Sequence, residues 1–272
     1  MMIQTAPEGS SRRFALRMDE HTALCGQFAR AFGNDRFEPV EPRELVVYLV
    51  ANHDNGWADF DATPKTDPRT GLPYNLVETP PEDITRTSTA SPDFNERRHP
   101  YCGLLSSMHS WGLYNGRYGM SDKILIDTIP PEQRDLADRM LNGELRRQDR
   151  LKAKLAEDPQ TAAWIEPEHL FQNYKQLQFF DTLALYFNRV HEAAREETSF
   201  LHVPMNARED ATIKLRPLEP GVYELSPYPF AETPARFRFC GRYIEPAGAG
   251  ADWPAIFARA PLEWQEFTLL AG

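Results

Sequence analysis

The chain has 272 residues, 41% of them hydrophobic and 11% aromatic, enough for one large domain with an appendage. Lys and Arg number 30 against 40 Asp and Glu, and the net charge of -10 repels phosphate backbones and anionic lipid, so neither nucleic acid nor a membrane surface is an expected partner. Cys25, Cys102 and Cys240 are an odd, scattered set without a CxxC pair, and they read as buried thiols in a reducing compartment, not as a disulfide framework or a thiolate zinc site.

No apolar leader opens the sequence and no apolar run is long enough for a bilayer, so the expected location is the cytoplasm. Residues 12–18 alternate, with Phe14, Leu16 and Met18 on one side, which predicts a short strand. Asp19 then suits a helix N-cap, and Leu24, Phe28, Ala31 and Phe32 form a helical stripe ended by Gly33 and Asn34. His21 lies one turn before Cys25 on the apolar side, as a core residue or as a ligand. Pro42 opens a second helix. Its run Leu45–Ala51 is apolar all round, and it leads into His53-Asp54-Asn55-Gly56-Trp57. Gly56 is expected to supply a left-handed turn, and Asp54, Asp59 and Asp61 crowd that turn.

Residues 61–98 lack a period and contain six prolines, with a turn at Asp67-Pro68-Arg69-Thr70-Gly71. They read as an ordered loop that walls the His53-Asp54 site. A third helix runs from His99-Pro100-Tyr101 to Tyr114. His109 sits deep in it, and His99, about 15 Å away along a helix, cannot share its ion. Pro130-Pro131 starts a polar outer helix through about residue 157, with Leu136, Met140, Leu145 and Leu151 as its inner face. The next helix, from about Pro167 to Ala194, buries Asp181 among aromatic residues. Such a carboxylate is expensive to ionise without a cation or donors, and neither Arg189 nor Lys175 shares its helical face. Beyond Pro204 the segments 213–215, 222–225, 235–239 and 263–270 alternate. The expected fold is mainly α, a helical bundle with a small antiparallel β-sheet formed by the C-terminal segment and the N-terminal strand. The expected division is a helical domain at 12–204 and a β-rich subdomain at 205–272.

His21, His53-Asp54 and Asp181 stand in the H…HD…D order of the HD-domain superfamily of metal-dependent phosphohydrolases, which residues 12–195 resemble. More narrowly, His53-Asp54-Asn55-Gly56-Trp57 with Leu105-Ser106-Ser107-Met108-His109 resembles an HD-like bacterial family without an assigned function. The resemblance implies an HD-like bundle in which His21, His53, Asp54 and Asp181 hold one ion. His109 stands where binuclear members add histidines for a second. Asn55-Gly56-Trp57 departs from the usual apolar-Gly-Lys continuation, so a phosphate-binding lysine is missing.

The donor types suit Mn, Fe, Zn, Co or Ni and not calcium. Asp54, Asp59 and Asp61 are the candidate catalytic carboxylates, with Asp59 or Asp61 as general base. Lys65, Arg69 and Arg117 are either anion binders or ordinary surface charge. The expected function is a metal-dependent phosphohydrolase with one or two ions, acting on a nucleotide or small phosphate ester. The alternatives are a di-iron oxygenase of the HD fold and a non-enzymatic protein in which a metal staples helices.

Overall fold

Two-residue alternation at both ends of the chain builds a single sheet. Its strands are β1 (Met2–Ile3), β2 (Arg13–Leu16), β3 (Thr198–Pro204), β4 (Asp210–Glu219), β5 (Val222–Ser226), β6 (Ala235–Ile244) and β7 (Glu263–Ala271). The computed structural model describes residues 1–6 and 9–272. The spatial order is β1-β2-β6-β7-β5-β4-β3. β2 pairs antiparallel with β6, Phe14 lying opposite Tyr243, as the shared alternation predicts. β5 and β7 run parallel, with Tyr223 opposite Leu269.

The expectation of a mainly α chain with a small antiparallel sheet is therefore corrected. The chain is 51% helical and 19% strand, and its seven-stranded sheet is mixed and curled into a half-barrel. Two features hid its size. A bulge between Phe200 and Val203, with His202 at φ 56°, interrupts the period of β3. The parallel β5–β7 pair is non-local, since β6 and a helix intervene, and no local pattern announces it.

The helices are α1 (Met18–Ala31), α2 (Arg43–Val50), α3 (Ala58–Ala62), α4 (Pro81–Arg98), α5 (Pro100–Tyr114), the single turn α6 (Gly116–Gly119), α7 (Pro131–Leu155), α8 (Pro159–Trp164), α9 (Pro167–Arg189) and α10 (Trp253–Arg259). The concave face of the sheet closes on α1 and α9. Phe28 meets Phe237 at 4.7 Å between ring centroids, Phe187 stacks on Phe267 at 3.7 Å, and Phe179 meets Phe200 at 5.6 Å. On their far side α1 and α9 pack against α2 and α5. The site lies among these four helices and the turn that follows α2.

The segment 61–98 is not one long loop, because Pro81–Arg98 is helical even with Pro92 inside it. Hydroxyls in this helix bond back to its own carbonyls, Thr85 to Pro81 at 2.8 Å and Thr87 to Ile84 at 2.9 Å. Packing against α5 stabilises what propensity alone does not. Gly56 is also corrected. It is not among the positive-φ glycines. A Cβ there would stand 2.4 Å from the Thr87 carbonyl oxygen, so glycine is needed for the close approach of α4. On α7, Leu136 and Leu145 are 38% and 39% exposed, and the buried face is instead Ala137, Met140, Leu141, Leu151 and Leu155. Among the described residues, no helix is long and apolar enough to cross a membrane.

Candidate metal centre

Four elements deliver the site. Helix α1 supplies His21 and, one turn on, Cys25; the turn after α2 supplies His53 and Asp54; α5 supplies His109 and α9 supplies Asp181. His21 and His53 are fully buried, and His109 and Asp181 nearly so, whereas the Asp54 side chain is 16% exposed. The structure brings these residues together. Asp181 Oδ1 lies 3.2 Å from His21 Nε2 and 4.0 Å from His53 Nε2, and Asp54 Oδ2 lies 3.6 Å from His53 Nε2. The His53 and His109 rings are 4.9 Å apart. One donor atom each from His53, Asp54 and His109 fits within 4.8 Å of the others, as does one each from His21, Cys25 and His53. Metal–ligand bonds of about 2.0–2.2 Å place neighbouring donors about 3–3.5 Å apart, so only small shifts separate either triad from ligand geometry; His53 is common to the two triads, and Asp181 adjoins His21 and His53 without belonging to either.

The outer partners of the histidines fix which nitrogen points inward. His21 Nδ1 donates to Asn188 Oδ1 at 2.9 Å, and His53 Nδ1 donates to the Val50 carbonyl at 2.9 Å. The Nε2 atoms of both rings therefore face the carboxylates. His53 Nε2 has no hydrogen-bond partner among the described residues. Leaving such a buried acceptor unmade costs about 1–3 kcal/mol. Two inward lone pairs beside an ionised carboxylate repel it unless a cation sits between them. A proton on His21 satisfies the His21–Asp181 contact but leaves His53 orphaned; a metal ion satisfies both. This is the observation by which the residues fit a metal. Gln178 Nε2 lies 2.8 Å from His109 Nδ1. With that amide turned end for end, Oε1 accepts from Nδ1–H and His109 Nε2 is free for the ion.

Electrostatics follow from burial and neighbours. Burial alone would raise the Asp181 carboxyl, but the His21 hydrogen bond and the nearby His109, His53 and His21 outweigh it and hold it well below the ordinary carboxylate range. Burial opposes charge on His21, yet Cys25 and Asp181 beside it raise its pKa well above 6.5. His109, desolvated and close to His53, is lowered to about 4 and is neutral at pH 7, as a ligand must be.

Not every residue singled out from the sequence joins the cluster. Asp61 is committed elsewhere: Oδ2 accepts the Met18 N–H at 2.6 Å, and Oδ1 lies 2.7 Å from the Met1 amine. It tethers the start of α1 and is not placed to activate a water. Asp59 is solvent-exposed, and neither residue belongs to a metal-competent group among those described. His99 caps α5, its Nδ1 accepting the Tyr101 N–H at 3.1 Å. Lys65 and Arg69 pair with Asp83 and Asp67.

Arg117 is the exception, its guanidinium lying 3.6 Å from Asp181 Oδ2. Arg117 and Tyr118 both hold left-handed backbone, φ 52° and 58°, which costs about 1–2 kcal/mol per residue. The Tyr118 ring, set between Trp111 at 4.8 Å and Tyr174 at 5.0 Å, anchors that turn. Beside it opens a cavity of about 270 Å³ lined by Arg117, Lys175, Gln178, Thr182, Ser199 and His202. Its lining comes from α6, α9, the turn after α6 and β3, while the segment 61–98, expected to wall the His53-Asp54 site, packs on the motif turn, with Ser91 Oγ accepting the Gly56 N–H at 3.0 Å.

Sequence reasoning missed the outer partners Asn188 and Gln178 and passed over Cys25. The only signal for Cys25 was its four-residue spacing from His21, which puts both on one helical face. All three cysteines are free and buried.

Fold and site together define an α+β protein around a buried His/Cys/Asp cluster of metal-binding composition. The chain belongs to the family described as Protein of unknown function (DUF3891), whose model matches residues 2–246. No curated protein and no solved structure matches it.

Proposed function

We propose that this protein is a metal-dependent hydrolase acting on a small phosphate ester or nucleotide, with one divalent transition-metal ion held by His21, His53, Asp54 and Asp181 and with His109 at its edge. The observation that carries the reading is the orphaned His53 Nε2 facing two carboxylates beside a second inward imidazole. The order of these residues along the chain resembles that of HD-domain phosphohydrolases. When bound, a divalent ion lowers the pKa of its water and polarises a phosphoryl oxygen. Arg117 faces both Asp181 and the cavity, and its fork of donors suits an anionic phosphoryl group. Asp54, the partly exposed carboxylate of the cluster, has a second oxygen besides the Oδ2 that faces His53, and that oxygen is the group able to take a proton from an attacking water. A cavity of about 270 Å³ favours a small substrate.

A second reading is favoured by the burial of the ligands, since structural sites are closed: the metal would staple α1, α5 and α9. The di-iron alternative has less support, because His53 offers one free nitrogen and His99 stands apart as a helix cap.

Metal analysis of protein purified without chelator should find about one transition-metal equivalent per chain, lost in H53A and D181A. The metal-loaded protein should then release phosphate from a panel of nucleotides and small phosphate esters. Metal retention without hydrolysis of any ester would favour the staple; no retained metal would overturn both readings.

A further inference from the structure

We propose that Cys25 is a ligand of the same ion, which makes the centre one for a thiophilic divalent cation such as zinc, cobalt or ferrous iron in preference to magnesium or calcium. This rests on the metal reading above. Cys25 follows His21 by one turn of α1, and both side chains are fully buried. Its Sγ lies 3.7 Å from His21 Nε2, and donor atoms of His21, Cys25 and His53 fall within 4.8 Å of one another. With bonds of about 2.3 Å to sulfur and about 2.05 Å to nitrogen, a ligand–metal–ligand angle near 110° separates the two donors by about 3.5 Å. Little needs to move. A histidine and a second ligand one helical turn apart is also the spacing by which helices present ligand pairs.

The competing account makes Cys25 a small apolar filler. That account leaves two facts unused. Its hydrogen-bonding neighbour, His21 Nε2, already faces Asp181 Oδ1 at 3.2 Å, and His53 Nε2, without a partner among the described residues, is aimed into the same space. The other cysteines differ in kind. Cys102 Sγ donates to the Leu45 carbonyl at 3.5 Å, and neither it nor Cys240 belongs to a metal-competent group among the described residues. On ligation the Cys25 thiol would lose its proton to solvent, leaving a thiolate beside two imidazoles and Asp181. A soft sulfur donor selects against hard cations that demand all-oxygen shells.

Cobalt(II) added to the chelator-stripped full chain is the probe. Visible d–d bands report binding, and a near-ultraviolet thiolate-to-cobalt charge-transfer band reports sulfur ligation. The wild type should show both, and the C102A/C240A double variant should keep both. C25S should lose the charge-transfer band and weaken zinc binding by roughly 100-fold or more, beyond the 10–100-fold typical of lost outer partners. The wild-type band needs no mutant, so a C25S protein that failed to fold would leave the test intact. Visible bands without charge transfer would overturn Cys25 ligation while leaving the metal centre standing. No cobalt binding by the wild type would overturn both.

Discussion

His21 donates from Nδ1 to Asn188 Oδ1 at 2.9 Å across the α1–α9 interface, and this bond turns Nε2 toward Asp181. Amide oxygen accepts only, so the proton is fixed on Nδ1. Asn188 is fully buried and touches the site through His21. Replacing it by alanine frees the ring, and zinc affinity measured by chelator competition should fall 10–100-fold, the usual effect of losing an outer partner. N188D, which keeps an acceptor, should restore it. Equal affinity in N188A would show that packing alone orients the ring.

The motif turn leaves no room for a side chain at Gly56. A Cβ on Gly56 would meet the Thr87 carbonyl oxygen at 2.4 Å and the Ser91 nitrogen at 2.5 Å, and both are backbone atoms that cannot swing aside. G56A should push α4 off the turn that carries His53 and Asp54. Overpacking of this kind costs about 1–3 kcal/mol, read as a lower urea midpoint at unchanged slope. A variant as stable as the wild type would mean that α4 is not seated against the turn.

Gly56 also illustrates what the sequence could convey. It is marked as special by its place after His-Asp, but whether it serves a left-handed turn or a close approach depends on α4, which local pattern did not reveal. His21, His53, His109 and Asp181 were legible because each is a buried polar side chain within its own element, Asp54 because it adjoins His53, and the five lie near one another in space. Asp59 and Asp61 carry the same chemistry as Asp54 and lie within one stretch, so spacing cannot say that Asp61 faces the Met18 N–H instead of the cluster. Arg117 could not be told apart from Lys65 and Arg69 for a related reason: its left-handed turn is set by aromatic packing on Tyr118. Asp19 is not the cap expected of it, since α1 starts at Met18 after Arg17, and α9 stops at Arg189, short of Ala194, but the helix starts at Pro100 and Pro167 were read from their prolines. Sheet size was not, because the β5–β7 pairing and the β3 bulge are tertiary facts.

The α4–α7 seam should make stability acid-sensitive. Arg150 bonds Glu96 at 2.8 Å and 2.9 Å, and Arg147 bonds it at 2.8 Å. The Arg150 hydrogen bonds, with those of Arg147, outweigh burial and lower the Glu96 pKa below its ordinary 4.5. A depressed carboxyl pKa contributes stability that is present above the unfolded value and lost as pH falls through the folded one. E96Q should therefore be less stable than the wild type at pH 7, by about 0.5–1 kcal/mol for a partly exposed pair. The difference should begin to narrow below about pH 4.5 and close as pH falls through the lowered folded value. A gap that persists undiminished at pH 3 would assign the loss to packing instead of charge.

Arg117 contributes to the fold through its backbone and to a substrate through its guanidinium, and substitutions separate the two. Its φ of 52° is a conformation that alanine adopts at a cost and glycine adopts freely. R117G should therefore be more stable than R117A by about 1 kcal/mol, the scale of the left-handed penalty. Against a phosphate ester the two should be equally poor, because both lack the guanidinium that faces Asp181 and the cavity. Losing a charged hydrogen bond of about 1.5–3 kcal/mol lowers kcat/KM roughly 10–150-fold. R117K keeps the charge but not the planar fork, and should recover only part of that loss. Thermal midpoints and kcat/KM for p-nitrophenyl phosphate with saturating metal give the two readings independently. Equal stability of R117G and R117A would remove the backbone strain from the account. Unchanged kcat/KM in both would remove Arg117 from the substrate site and leave it only as the counter-charge of Asp181.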